Sequence, residues 1–288
     1  MDIRFTEPRT CCPVCGDARL VPAFQLDVKG ARINWDRCAA CRLHFQNPRL
    51  ELDSIRATYA SDEYWGKGSA AGIYVDYEKY DSIRVRQSQR RLGIITRVSG
   101  IRGGELLDVG CATGFFGHVA QQAGFRVTGI EPSPQMAEIA RRQYGLNIRQ
   151  DILEHIELRP CSFDMITLWG TDSHFLNPRE GFAALARALK PGGVLAMNYQ
   201  DFSHWIRLLL PGIKRNWNAL FLLNRTSLSL LFDSLKLERI YHKTEWQWTT
   251  LSHVLRVAKL PCPRATDSLV CLLPALSFPM VVARKAAA

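Results

Sequence analysis

The middle of the chain alternates short apolar runs with amphipathic stretches. Leu106–Val109 is apolar around one acid, Asp108, the pattern of a parallel strand covered on both faces. Gly110 and Gly114 follow, and Phe115–Gln122 continues with helical spacing. Arg126–Ile130, Leu146–Arg149, Phe163–Trp169 and Val194–Asn198 read as further strands, and Pro178–Leu189 as a helix. Lys190–Gly193 reads as the turn between that helix and the fifth strand. Residues 225–236 read as another helix. Leu237–Lys243 and Met280–Lys285 read as an antiparallel pair closing the sheet. Strands alternating with helices in this way predict an α/β, Rossmann-like, mostly parallel sheet of seven strands.

The first strand–glycine–helix unit carries the chemistry. Glycines at 110 and 114 let the backbone turn sharply and approach a ligand closely. Such a unit binds a nucleotide-like cofactor at the carboxyl end of a parallel sheet. The dinucleotide fingerprint is G-x-G-x-x-G, whereas this chain has Gly110-x-x-x-Gly114 with Asp108 just ahead. The second strand ends in Glu131-Pro132-Ser133, and a carboxylate about 20 residues on suits a ribose diol.

Together these residues resemble the class I S-adenosylmethionine (SAM) dependent methyltransferases. The run from Phe163-Asp164-Met165-Ile166 to Leu189-Lys190-Pro191-Gly192-Gly193 is typical of that fold. The resemblance covers residues 100–200 strongly and the flanks more weakly. It implies that Asp108, Gly110, Cys111, Ala112, Gly114 and Phe115 hold the methionyl part of the cofactor. Glu131, with Pro132, would hold the ribose, Asp151 and Ile152 the adenine, and Trp169 would border the site. Ala112 stands where the family most often has glycine, a small change expected to keep the turn. An ordinary βα turn is the bland alternative; the order of the later strands weighs against it.

The nine cysteines are not scattered evenly. Cys12-Pro13-Val14-Cys15 and Cys38-Ala39-Ala40-Cys41 are two C-x-x-C knuckles with 22 residues between them. Four thiolates in two such knuckles supply a tetrahedral Zn²⁺ site. Val21–Leu26 and Ala31–Trp35, separated by Asp27–Gly30, read as the intervening hairpin. Cys11 is a spare with a less usual spacing to Cys15. Four cysteines close the coordination shell, so the metal is expected to be structural. This segment resembles the N-terminal zinc module of bacterial methyltransferases of the polysaccharide and secondary-metabolite type, sugar methyltransferases among them. Cys-Pro-Val-Cys-Gly, Arg-Cys-Ala-Ala-Cys, Leu-His-Phe-Gln-Asn-Pro-Arg and Tyr-Ala-Ser-Asp-Glu-Tyr-Trp carry that resemblance.

The expected organisation is a zinc ribbon and linker over 1–60, a helical cap over 61–98, the SAM-binding core over 99–200, and an acceptor lid with closing strands over 201–288. Tyr74, Tyr77 and Tyr80 recur at helical spacing in the cap. They form a packing stripe, or, as the resemblance implies, Tyr77 reaches the SAM carboxylate. His204–Leu223 holds Trp205, Lys214, Arg215 and Trp217 in an apolar run. It reads as an acceptor lid, with a membrane-interface segment as the alternative.

Composition adds bounds. The 288 residues fit one α/β domain with a small appendage. Leu269–Val282 is apolar but too short to span a bilayer and is interrupted by Pro274 and Pro279. A polar, then cysteine-rich start shows no signal peptide, so a reduced, cytoplasmic protein is expected. The net charge is +10, and residues 201–288 carry twelve basic against five acidic side chains. That excess suits RNA, anionic lipid or a phosphorylated substrate, or is simply a solvated face.

His174, just past the fourth strand, is the candidate general base, with Asp172, Tyr199 and His204 behind it. Some related O-methyltransferases carry E-x-x-E-H here for a divalent metal. This chain has Gly170-Thr171-Asp172-Ser173-His174, without either glutamate, so no catalytic divalent metal is expected. The [D/N/S]-P-P-[Y/F/W] run of nucleic-acid amino-methyltransferases is missing after strand four, as is a Pro-Cys nucleophile. The expected reaction is O- or C-methylation of a small-molecule acceptor: a sugar, glycan or natural-product intermediate. A ribosomal RNA methyltransferase with a zinc module is the alternative. A non-catalytic scaffold is the other, disfavoured by the intact Asp108, Gly110, Gly114 and Glu131.

Overall fold

A computed structural model of the protein describes residues 3–28, 30–59, 81–204, 219–257, 261, 263 and 269–287. The N-terminal part forms β1 (Leu20–Val28), β2 (Ala31–Cys38), β3 (His44–Gln46) and the helix α1 (Leu52–Tyr59). A long helix, α2 (Asp81–Ser99), leads into the core. The core runs β4 (Gly104–Val109), α3 (Phe115–Gln122), β5 (Phe125–Ile130), α4 (Pro134–Tyr144), β6 (Asn147–Arg149), β7 (Phe163–Trp169), α5 (Pro178–Ala188) and β8 (Leu189–Asn198). It ends with β9 (Phe221–Leu222), α6 (Arg225–Ser234), β10 (Leu237–Thr250), α7 (Leu251–Val257) and β11 (Val270–Lys285).

The main sheet has seven strands in the order β10-β11-β8-β7-β4-β5-β6. Neighbours from β8 to β6 pair in parallel, while β11 runs antiparallel to both β8 and β10. Leu106, Leu107, Met165, Ile166, Leu168 and Val194–Met197 are buried, as expected of strands covered on both faces. Leu92 and Ile95 of α2 join Phe116 and Val119 of α3 on one face. Phe182 and Leu185 of α5 and Leu228, Leu231 and Phe232 of α6 cover the other. Among the described residues no helix is long and apolar enough to cross a membrane.

The larger departures from the sequence pattern lie in β8 and in the closing strands. Lys190–Gly193 is not a separate turn but a bulge within β8, whose partners jump from Phe163↔Leu189 to Met165↔Val194. A Cβ on Gly193 would sit 3.1 Å from the carbonyl oxygens of both Phe163 and Asp164, so a side chain there would press on the neighbouring strand. The closing strands run well past Lys243 and begin well before Met280. Pairing passes from Thr244↔Pro279 to Glu245↔Ala275. Proline cannot donate to the ladder, so the sequence shows an end where the structure has a bulge.

The N-terminal cysteine segment, the expected ribbon, is not a free appendage. β3 pairs with β9, so a four-stranded sheet β1-β2-β3-β9 joins the N-terminus to a segment that follows β8 by more than twenty residues. The buried cluster around Cys12, Val14, Leu43 and Phe45 is continuous with Leu107, Ile166 and Phe182 of the core. The stretch expected to form the lid lies partly outside the described residues, at 205–218. Its end, Ala219–Leu223, is buried against the ribbon.

Candidate functional site

The strand ends converge on one edge of the sheet. Asp108 is buried near the end of β4 and accepts a hydrogen bond from Thr167 Oγ1 at 2.7 Å. Glu131, just past β5, is buried and accepts the backbone N–H groups of Ala112 at 2.9 Å and Ser133 at 2.8 Å. Burial pushes Asp108 up to about 7, against the Thr167 hydrogen bond and the Arg91 charge. Burial likewise pushes Glu131 up to about 7, against its two backbone hydrogen bonds. Two carboxylates held this way favour a cationic, hydroxyl-rich partner over an anionic one.

The loop between them is built on left-handed backbone. Gly110 has φ +69° and Gly114 φ +86°. A Cβ on Gly110 would overlap the Thr171 side chain, and one on Gly114 would meet Leu146 Cδ1 at 2.6 Å. Ala112 also lies at φ +48°. The helix α3 opens at Gly114 without a side-chain cap, and a helix start of this kind suits an anionic group. Thr113 Oγ1 and Trp169 Nε1 are buried with no hydrogen-bond partner among the described residues. Buried polar atoms are rarely left so; Thr113 lies in this loop, and Trp169 packs on Phe116 at the start of α3. These features fit a bound SAM: carboxylates for its cationic and hydroxyl groups, amides for its carboxylate.

Of the other residues expected at the cofactor, Cys111, Phe115 and Ile152 are buried. Pro132 follows Glu131 at the same strand end, and Trp169 packs on Phe116 with ring centroids 5.1 Å apart. Asp151 is half exposed and meets Arg56 Nη2 at 3.2 Å. Tyr77, with Tyr74 and Tyr80, lies outside the described residues.

The loop after β7 crosses this edge. His174 Nδ1 lies 2.7 Å from Tyr59 Oη, and burial lowers its pKa to about 4. Asp172, two residues earlier, is buried and pushed up to about 7 by desolvation. Tyr199 is buried at the end of β8, with its hydroxyl 3.1 Å from His242 Nε2. His204 turns back to Asp201, donating its N–H to the Asp201 carbonyl at 3.2 Å.

Cys12, Cys15, Cys38 and Cys41 bring their sulfurs within 4.8 Å of one another. Cys12 and Cys41 are 3.5 Å apart, as are Cys15 and Cys38. The Cys41 thiol lowers the pKa of Cys12 to about 5. Four soft sulfur donors at this spacing fit a closed tetrahedral metal site, where Zn–S bonds are about 2.3 Å. Cys11 is exposed and outside the cluster.

Comparison with known proteins agrees with this fold. A methyltransferase-domain family profile matches residues 83–251, more than half of the sequence. The chain belongs to that family. This methyltransferase is 34% identical over 110 residues to a ubiquinone biosynthesis O-methyltransferase of Idiomarina loihiensis, a match covering 36% of this chain and 45% of the relative. It is 33% identical over 160 residues to a tRNA U34 carboxymethyltransferase of Desulfotalea psychrophila, covering 52% and 48%. It thus spans about half the length of these curated relatives. A solved protein from Pyrococcus horikoshii, PH0226, superposes with a TM-score of 0.53 at 17% identity, over 80% of this chain and 98% of that one. That likeness shows the fold alone.

Several residues of the site were not legible as such. Arg91 lies 4.2 Å from the Trp169 ring centroid and bonds Glu245. Arg84 lies 5.9 Å from the Phe115 ring centroid. Both sit on the Arg/Gln-rich helix α2, and only their run along one helix hinted at them. The Asp164 of the family-like run accepts Glu105 N–H at 2.8 Å and Lys190 Nζ at 2.7 Å. That motif ties three core strands together rather than touching a ligand.

Proposed function

We propose that this methyltransferase transfers a methyl group from SAM to a small-molecule acceptor, a sugar, glycan or natural-product intermediate, at oxygen or carbon. The observation that carries the reading is the cradle of Asp108, Gly110, Ala112 and Glu131 beside the uncapped start of α3. SAM supplies a methyl on a sulfonium with a good leaving group. Asp108 and the 110–115 loop would hold its methionyl part, Glu131 its ribose, and Asp151 with Ile152 its adenine. The chain's remaining task is alignment and water exclusion, which can contribute roughly 7–11 kcal/mol.

A proton acceptor is needed only where the acceptor must lose a proton. His174 stays neutral near pH 7 and keeps a lone pair, but its low pKa makes it a weak base. Asp172, at about 7, is better matched to that work. The small-molecule reading draws support from the O-methyltransferase relatives. A tRNA-modifying relative and the basic C-terminal third support an RNA acceptor as the second reading. The cysteine cluster is proposed to hold structural Zn²⁺.

Calorimetric titration of S-adenosylhomocysteine into the metallated protein tests the cofactor site. Binding is expected, and is expected to be lost in Asp108→Ala and Glu131→Ala. Equal binding in both variants would overturn the residue assignments. No binding by the folded wild type would turn the reading to a scaffold.

A further inference from the structure

The loop that follows β7 is held from within the core at Gly170 and Leu176, whose N–H groups donate to Asn198 and Glu154, and from outside it between them. Tyr59, the last residue of α1, is buried and places its hydroxyl 2.7 Å from His174 Nδ1, with the rings edge-to-face at 5.9 Å. Arg9 donates from Nη2 to the Leu176 carbonyl at 3.2 Å. Leu220 donates its N–H to the Ser173 carbonyl at 2.8 Å, and its own carbonyl accepts Gln46 N–H at 2.9 Å. Gln46 belongs to β3, and its side chain bonds Ala219 O at 2.9 Å. The knuckle carbonyl of Cys41 accepts Asn224 Nδ2 at 3.2 Å, just before α6. α1 is itself tied to the N-terminal segment, since Ser54 Oγ accepts Arg4 N–H at 2.9 Å.

These clamps reach residues 173–176. Among the described residues, the loop at 110–114 donates its N–H groups within the core, from Gly110 and Cys111 to Ile130 O and from Ala112 to Glu131. We propose that Tyr59 is a positioning residue for His174, and that the cysteine ribbon, through Tyr59, Arg9 and the β3–β9 pairing, sets the acceptor-side loop while leaving the cofactor cradle to the core. The inference deepens the proposed reading, because it assumes that residues 171–176 face the methyl acceptor. It gives the ribbon a task in the reaction: a wall of the acceptor site whose integrity governs the geometry of the loop.

The test uses the full-length metallated protein with ring-¹⁵N-labelled histidine, His174→Gln identifying the His174 signals. Tyr59→Phe removes one hydroxyl and keeps the packed ring. It is expected to displace the His174 ring-nitrogen signals and to speed amide exchange in the peptide over 171–176. Arg9→Ala is expected to speed that exchange without the same nitrogen shift. S-adenosylhomocysteine affinity should stay within about twofold in both, well under 1 kcal/mol. Unchanged His174 signals and exchange in Tyr59→Phe would overturn the proposal, as would a loss of cofactor affinity matching the loop change. If the wild type binds no S-adenosylhomocysteine, the cofactor reading fails, while the nitrogen shift still reports whether Tyr59 positions His174.

Discussion

Ala112 donates its backbone N–H to Glu131 Oε2 at 2.9 Å, so the two loops of the proposed cofactor cradle are bonded to each other. Glu131 is a buried acid taking two backbone donors, and Asp108 is a buried acid taking one hydroxyl. Each retains capacity for further donors.

That arrangement makes binding depend on pH. Both carboxyls are raised to about 7 by burial, above the ordinary values near 4. The folded chain therefore holds protons that the unfolded chain has released, and their contribution to stability is lost as pH rises from about 4 through about 7. A cationic cofactor favours the ionised forms. SAM affinity is expected to rise several-fold between about pH 6 and about pH 8, read by calorimetry. Affinity that is flat over this range in wild type and equal in Glu131→Gln would refute it.

Ala112 occupies left-handed backbone at φ +48°. A non-glycine residue there costs on the order of 1–2 kcal/mol, partly offset by glycine's greater freedom in the unfolded chain. Ala112→Gly is expected to stabilise the protein by up to about 1 kcal/mol, seen as a higher denaturation midpoint. A lower midpoint would show that the methyl group packs usefully.

Glu245 on β10 is the centre of a buried network. It accepts Arg91 Nε at 2.6 Å, Gln87 Nε2 at 2.8 Å, Gln247 Nε2 at 2.9 Å and Asn198 Nδ2 at 3.0 Å. Asn198 Oδ1 in turn accepts Gly170 N–H at 2.8 Å. Removing the carboxylate leaves Arg91 largely buried and unpaired. Glu245→Ala is expected to cost about 3–5 kcal/mol in urea unfolding, and Glu245→Gln clearly less. Equal effects of the two would show that the charge contributes little.

Metal analysis of the purified protein is expected to find about one Zn²⁺ per chain, as a four-thiolate site requires. Cys38→Ser should lower that content and destabilise the chain, whereas Cys11→Ser should change neither. Full metal retention in Cys38→Ser would place the ion elsewhere. Because the ribbon shares its buried cluster with the core, zinc loss is expected to lower the melting midpoint of the whole protein.

The core was legible because its signals are local. Phe115–Gln122 and Phe163–Trp169 appear with their expected bounds, since apolar runs and glycine turns lie within a few residues of one another. The expected Pro178–Leu189 helix ends one residue early, where Leu189 already pairs with Phe163. β9 was not legible: two residues, Phe221 and Leu222, carry no period, and only the distant β3 makes them a strand. Tyr59 and Arg9 were equally silent, because their partners His174 and Leu176 are far away in sequence.

The sequence by itself determined the parallel strand–turn–helix succession, the acids at the ends of β4 and β5, and the two cysteine knuckles. Each depends on spacing within one short segment, where backbone geometry and side-chain chemistry act together. Tertiary structure alone decided that Tyr59, Arg9 and Leu220 bond the loop after β7, that Glu245 gathers donors from four residues, and that burial raises Asp108, Asp172 and Glu131. Those outcomes depend on desolvation and on contacts between distant segments, which the order of residues does not display until the chain is folded.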